Sequence, residues 1–220
     1  AIDMNNWERK VPSILFSWYS GMEGGTALAK ILYGDINPSG KLPFSIPKNV
    51  SDYPYFNPFT DTITYGYYHG YTLFEKLGKA ISYPFGFGLS YSSFIYSDLV
   101  VDNKNCQEGD SIILNFNIRN NSKFSGEEVI QLYVKAMDAS FRTPNSSLKF
   151  FERINLQPGE KRNINVLVNK DMLSSINENG DTEIVKGSYK IFISSNFSNS
   201  GKGTALMFCS IDIFFGLNYL

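Results

Sequence analysis

Ile112-Ile113-Leu114-Asn115-Phe116-Asn117-Ile118 decides the fold of the second half of this chain. It ends in clean apolar/polar alternation, and a period of two puts successive side chains on opposite faces of a strand. Downstream, Glu128-Val129-Ile130-Gln131-Leu132-Tyr133-Val134 reads as a second strand. Lys161 to Val168 alternates in the same way, and so do Tyr189-Lys190-Ile191-Phe192-Ile193 and Leu206 to Phe214. Gln157-Pro158-Gly159-Glu160 and Lys186-Gly187-Ser188 supply turns between them. Several short strands at this spacing over about 120 residues predict an all-β sandwich of the immunoglobulin or fibronectin type III kind. The boundary of that domain is placed near Ser97, which divides the chain into residues 1–97 and 98–220. No internal repeat or low-complexity tract is visible.

The segment before Ser97 reads as α/β. Val11 to Trp18 is a short apolar run, consistent with a buried parallel strand near Ile14 to Trp18. Gly21-Met22-Glu23-Gly24-Gly25 breaks it, and Thr26 to Tyr33 follows with Ala27, Leu28, Ile31 and Leu32 on one helical face. Asn37-Pro38-Ser39-Gly40 closes the unit in a turn. From Lys41 to Tyr96, Pro43, Pro47, Pro54, Pro58 and Pro84 exclude long helices. Irregular backbone of that length is usually functional or wrapped over a neighbour, and its aromatics argue for packing rather than disorder.

Composition narrows the function classes. The 220 residues carry a formal net charge of -1, so no broad basic field is available for nucleic acid. No apolar run approaches the roughly 20 residues needed to cross a bilayer. The chain opens Ala1-Ile2-Asp3-Met4, without a visible signal peptide, and reads as a fragment or processed chain. Cys106, Cys209 and the lone His69 have no metal spacing, so no metal is expected. The two cysteines read as two buried thiols or as one disulfide joining the first and last strands of the sandwich. Asn-x-Ser sequons at Asn49, Asn120, Asn145 and Asn196 favour a secreted protein. Asn120 and Asn145 sit in polar inter-strand loops, where glycans are expected.

Three motifs go further than periodicity. Trp18-Tyr19-Ser20-Gly21-Met22-Glu23-Gly24-Gly25-Thr26-Ala27-Leu28-Ala29 resembles the W-Y-P-G-Q-E-G-G-x-A-L-A segment of family 3 glycoside hydrolases. Leu32-Tyr33-Gly34-Asp35-Ile36-Asn37-Pro38-Ser39-Gly40-Lys41-Leu42-Pro43 is similar to that family's L-F-G-D-x-N-P-S-G-K-L-P. Pro84-Phe85-Gly86-Phe87-Gly88-Leu89-Ser90-Tyr91 matches its P-F-G-x-G-L-S-Y. Further on, Gly126 to Val134 and Leu148 to Ile154 with Leu156 to Glu160 resemble segments of the fibronectin type III-like domain that ends many of these enzymes. The departures are Ser20, Met22, Thr72 in a G-Y-R position, and Phe150 in a K-G-F position.

The resemblance implies the end of the family's α/β sandwich domain followed by its terminal β-domain. It implies a retaining β-glucosidase acting on a β-glucoside or oligosaccharide, with no cofactor; a β-xylosidase or arabinofuranosidase of the same family is the alternative. A retaining glycosidase needs two carboxylates about 5 Å apart. In this family the nucleophile is an Asp of an N-terminal (β/α)8 barrel, and the acid/base is usually a Glu ahead of the W-Y-P-G-Q-E-G-G motif. Both are expected upstream of Ala1, so no carboxylate here inherits a catalytic role. Three further candidates have two readings each. Glu23 is either a cleft carboxylate or a structural residue bonded to turn amides at a helix N-terminus. His69 points into a substrate channel or is a loop residue. Tyr65, Tyr67, Tyr68 and Tyr71 form a sugar-stacking wall or pack the long loop. A free-standing β-sandwich binding module is the non-enzymatic reading, and the Asn37 to Pro43 motif argues against it.

Overall fold

A computed structural model describes residues 3–102, 104–107, 111–196 and 207–214. Before residue 94 the described elements are short. Helix α1 is Gly24–Leu32 and strand β1 is Ile46–Pro47; helix α2, Gly70–Lys76, and strand β2, Ile81–Tyr83, follow. Helix α1 ends where expected. Gly34 adopts φ +84°, the left-handed conformation that glycine supplies without strain, and the Gly34 and Ile36 amides close on the Ile31 and Lys30 carbonyls. Strands β1 and β2 pair antiparallel, with Ile46 opposite Tyr83.

One expectation for this segment is corrected. Val11 to Trp18 forms no strand, and Val11, Ile14, Leu15 and Trp18 are exposed. A strand exists only with a ladder partner to take its amides and carbonyls, and no described residue pairs with this run. The apolar face of α1 is uncovered as well: Leu28 and Leu32 are exposed. Phe16, Trp18 and Phe44 instead cluster edge to face, with centroids 4.6 to 6.0 Å apart.

The rest is the expected sandwich. Its strands are β3 (Phe94–Val101), β4 (Asn105–Gln107), β5 (Ile112–Asn120), β6 (Gly126–Ala136), β7 (Ser147–Leu156) and β8 (Lys161–Val168). After the single-turn helix α3 (Lys170–Leu173) come β9 (Ser174–Ile176), β10 (Thr182–Ile184), β11 (Gly187–Ser194) and β12 (Met207–Phe214). One sheet has the order β3-β5-β8 and the other β4-β12-β11-β6-β7, while β9 and β10 form a separate ribbon. Every neighbouring pair is antiparallel except β4 and β12. Strand β3 begins at Phe94, so the division expected near Ser97 falls inside the first strand of the sandwich.

Period two explains the core. Ile112, Leu114, Phe116 and Ile118 of one sheet are fully buried against Ile130, Leu132, Ile191, Ile193 and Ile211 of the other. Burying each such side chain contributes about 1.5–3 kcal/mol. Tyr189 is buried among them because its hydroxyl donates to the Val185 carbonyl at 2.6 Å.

The disulfide is also corrected. Cys209 is a free thiol. The parallel pairing of β4 with β12 sets Cys106 opposite Ile213, four residues beyond Cys209. At about 3.3 Å per residue that is an offset of roughly 13 Å along the strands, far outside the reach of a bridge. The Cys106 side chain lies outside the described residues.

Candidate functional site

The motif segments 37–43, 84–91 and 126–134 converge on one polar junction between the loop and the sandwich. Asn37 is its hub. Its Nδ2 donates to Ser92 Oγ and to the Ser125 carbonyl, both at 2.8 Å. Its Oδ1 accepts from Ser90 Oγ and from the Tyr91 amide, both at 2.8 Å. Both donors and both lone pairs of the amide are thereby used. Ser39 Oγ donates to Glu127 Oε2 at 3.0 Å. The Leu42 amide donates to the Phe87 carbonyl at 2.8 Å, and the Gly86 amide donates back to the Leu42 carbonyl at 2.7 Å. Gln131 Nε2 donates to the carbonyls of Gly86 (3.4 Å) and Ser195 (2.7 Å), and its Oε1 accepts from Tyr133 Oη at 2.6 Å. Tyr91 Oη donates to the Ile31 carbonyl at 2.6 Å, which ties in helix α1.

The glycines of these motifs permit close approach. A Cβ on Gly126 would stand 2.7 Å from Ser92 Oγ and 2.8 Å from Asn37 Nδ2. A Cβ on Gly88 would collide with the Gly40 carbonyl oxygen. Real Cβ atoms do not come so close, so only glycine lets the three segments touch.

An ion pair lies within the junction. Lys41 Nζ is 3.3 Å from Glu128 Oε1, with the side chains 12% and 3% exposed. Lys41 also donates to the Gly88 carbonyl at 3.0 Å. Burial raises the Glu128 carboxyl above its ordinary value, and the Lys41 charge opposes that shift. Burial, with the neighbouring Glu128 charge, pushes the Tyr96 hydroxyl well up. Tyr96 Oη and Glu128 Oε1 are buried without an aligned hydrogen bond, so the contact with Lys41 is electrostatic in character. The strand pattern carries the signal for this site: Glu128 is in phase with Ile130, Leu132 and Val134, and therefore faces inward. Nothing in the Pro-rich segment marks Lys41 as its partner.

A second set of contacts fastens the Tyr-rich segment to the β6–β7 loop. Tyr68 Oη donates to the Thr143 carbonyl at 3.0 Å, and Tyr71 Oη accepts from the Leu148 amide at 2.9 Å. Ser146 Oγ donates to Glu75 Oε1 at 3.3 Å. Lys76 Nζ stands 3.9 Å from the Tyr68 ring centroid, and the Arg142 guanidinium 4.4 Å from that of Tyr67. Tyr71 contacts the rings of Phe85 and Tyr133. These contacts favour the packing reading of Tyr67, Tyr68 and Tyr71, while Tyr65 is 68% exposed. His69 is exposed and caps α2 through its backbone, its amide donating to Thr72 Oγ1 at 3.2 Å while that hydroxyl donates to the His69 carbonyl at 2.8 Å. Glu23 is the N-cap residue of α1 and is exposed. Its side chain makes no cap hydrogen bond, so of its two readings the one that bonds it to the turn amides is not seen. Among the described residues, Glu23 makes no hydrogen bond or ion pair with Tyr68 or His69.

Two of the four sequons are corrected. Asn120 is fully buried: its Nδ2 donates to the carbonyls of Phe124 (2.8 Å) and Leu156 (3.0 Å), and its Oδ1 accepts from the Ser122 amide and hydroxyl. Asn196 is 5% exposed, and Phe197 and Ser198 of its sequon lie outside the described residues. Asn49 and Asn145 are exposed.

Residues 1–91 match the model of the glycosyl hydrolase family 3 C-terminal domain, and residues 128–196 match that of the fibronectin type III-like domain. The chain belongs to glycoside hydrolase family 3, in its C-terminal region. Probable beta-glucosidase K of Emericella nidulans is 35% identical over 90% of this family 3 chain and 24% of its own length. Thermostable beta-glucosidase B of Acetivibrio thermocellus is 36% identical over 85% of the chain and 26% of its own. The structure of beta-glucosidase 3B from Thermotoga neapolitana superposes with a TM-score of 0.79 at 31% identity, covering 94% of this chain and 29% of that one. This family 3 chain thus spans about a quarter of the length of the curated relatives it matches.

Proposed function

We propose that the whole protein is a β-glucosidase that releases terminal β-D-glucose by retaining double displacement, and that this chain serves it without supplying the catalytic carboxylates. The observation that carries the reading is where the motif residues go. Asn37, Ser39, Lys41, Gly86, Gly88, Gly126, Glu128 and Gln131 are all engaged in the junction, which leaves them no reacting role. Double displacement needs one carboxylate to form the glycosyl-enzyme and a second group to protonate the leaving oxygen. Both belong, on this reading, to residues outside this chain, on a (β/α)8 barrel and the remaining part of the α/β domain. The role of the chain is to brace that α/β domain, with the sandwich as an outer stabiliser. The enzyme is proposed to be secreted, with the exposed Asn49 and Asn145 as its glycan sites.

The test is an assay of the purified 220-residue chain and of the full-length protein with a nitrophenyl β-glucoside. The chain alone is expected to give no turnover above background, and the full-length protein to be active; removing a catalytic group costs several orders of magnitude. Turnover by the chain, abolished by Glu23→Gln, would overturn the account. A full-length protein that cleaves nitrophenyl β-xyloside and not the glucoside would replace the substrate.

A further inference from the structure

The junction and the Tyr-rich clamp leave unused a depression of about 450 Å³, within the size range of small-molecule sites. It lies on the sandwich between the β6–β7 loop and the β9–β10 ribbon. The β6–β7 loop contributes Asp138, Ser140 and Phe141 to its lining, and the ribbon with the residues after it contributes Thr182, Glu183, Ile184, Val185 and Lys186. Both segments are tied down. Asp138 Oδ2 accepts from the Ser188 amide at 2.8 Å, packed so tightly against Gly187 that a Cβ there would meet it at 2.6 Å. Asn177 Nδ2 donates to Glu183 Oε2 at 3.3 Å, and β10 is paired along its length with β9. Tyr67, carrying Arg142 on its ring, donates to the Ile176 carbonyl at 3.5 Å and so joins the two segments from outside. The depression is therefore formed before any ligand arrives, which lowers the entropic cost of binding.

Its lining is two-sided. Phe141 and Ile184 pack against the core and, as lining residues, supply the smaller, apolar part of the surface, taken as its floor. Two carboxylates, two hydroxyls and one ammonium surround that floor. A pyranose is two-sided in the same sense: a C–H face suited to an apolar floor, and a rim of hydroxyls that donate to carboxylates and accept from Lys. The geometry points to a carbohydrate-binding site on the sandwich for a neutral β-linked glucoside. Charge-assisted hydrogen bonds from ligand hydroxyls to Asp138 and Glu183 would hold the rim, and Phe141 would take the ring. The choice of glucoside rests on the proposed β-glucosidase reading. The binding itself needs no catalysis, so the two can fail separately.

The test is amide chemical-shift mapping of the 220-residue chain titrated with cellobiose. Perturbations are expected to cluster at 138–141 and 182–186 and to saturate with a Kd on the order of 1 mM. Glu183→Gln, on the surface, is expected to weaken binding about tenfold while leaving the spectrum folded, because a charged hydrogen bond is replaced by a neutral one. Absence of perturbation up to about 20 mM, or perturbations clustered elsewhere, would overturn the site. Binding of equal strength by Glu183→Gln would overturn the role given to the carboxylate rim. If cellobiose binds here but the full-length protein proves inactive on glucosides, the site stands and the activity reading falls.

Discussion

Lys41→Met tests what holds the loop to the sandwich. At an effective dielectric near 20, charges 3.3 Å apart attract by 332/(20 × 3.3), about 5 kcal/mol, before desolvation is subtracted. Met keeps the stem and removes the charge, which leaves Glu128 buried without a counter-ion. Breaking a buried pair in this way costs about 3–5 kcal/mol. Protonation sets a ceiling on that cost. A carboxyl of ordinary value 4.5 can be neutralised at pH 7 for about 1.36 × 2.5, or 3.4 kcal/mol, and at pH 5 for about 0.7 kcal/mol. Loss of the Lys41 bond to the Gly88 carbonyl adds about 1 kcal/mol at either pH. The expected destabilisation is therefore at most about 4 kcal/mol at pH 7 and at most about 2 kcal/mol at pH 5. Lys41→Met with Glu128→Gln should recover most of the difference and lose the pH dependence. The sign is fixed by linkage. Because the folded-state carboxyl is raised, the folded chain holds this proton more tightly than the unfolded one, and stability falls as pH rises through the window above 4.5. Urea denaturation followed by circular dichroism at the two pH values measures all of this. A cost below about 1 kcal/mol at pH 7, or the same cost at both pH values, would refute the reasoning.

Other outcomes follow from single contacts. Asn120→Ala should cost about 2–3 kcal/mol, read by the same denaturation, because the Leu156 carbonyl loses a buried donor. Peptide mapping of material secreted from a eukaryotic host should find a glycan on Asn145 and none on Asn120, which is 0% exposed; a glycan on Asn120 in folded protein would contradict its burial. Gly126→Ala should lower the melting temperature through a cost of about 1–3 kcal/mol, since its Cβ would meet Ser92 Oγ at 2.7 Å; an unchanged melt would show that the junction can yield. Burial pushes the Cys209 thiol up to about 11, so labelling at pH 8 should be slow in the folded chain and fast in urea, with the modified residue identified by mass spectrometry.

Much of the sandwich was legible in its sequence because each long strand carries its own period-two signal. Lys161–Val168 is a strand over the predicted residues, and Ile112–Asn120 extends its prediction by two. The same signal extends to Asn120. It is in phase with Ile112, Leu114, Phe116 and Ile118, and so belongs to the buried face rather than to a loop. Phe94–Val101 was missed as a strand because its outward Ser97 and Asp98 sit at an irregularity, with Asp98 at φ +59°. Val11 to Trp18 was misread for the opposite reason: a parallel strand is defined by its neighbours, and an apolar run does not say whether they are present. The polar junction was hardly legible, since its hydrogen bonds join residues far apart in the chain and no local period marks them.

That separation has a consequence for assembly. Asn37 meets Ser125 across 88 positions and Ser39 meets Glu127 across the same interval. The sheet pairs β6–β7 and β5–β8, by contrast, close over much shorter stretches. Closing a long loop loses chain entropy before any contact rewards it, and topologies rich in distant pairings fold slowly. The β5–β8 and β6–β7 pairs are therefore expected to form before the junction does. Until then Glu128 waits on the finished strand without Lys41, and because burial raises its carboxyl, closing the junction is more favourable in mildly acidic solution than at neutrality.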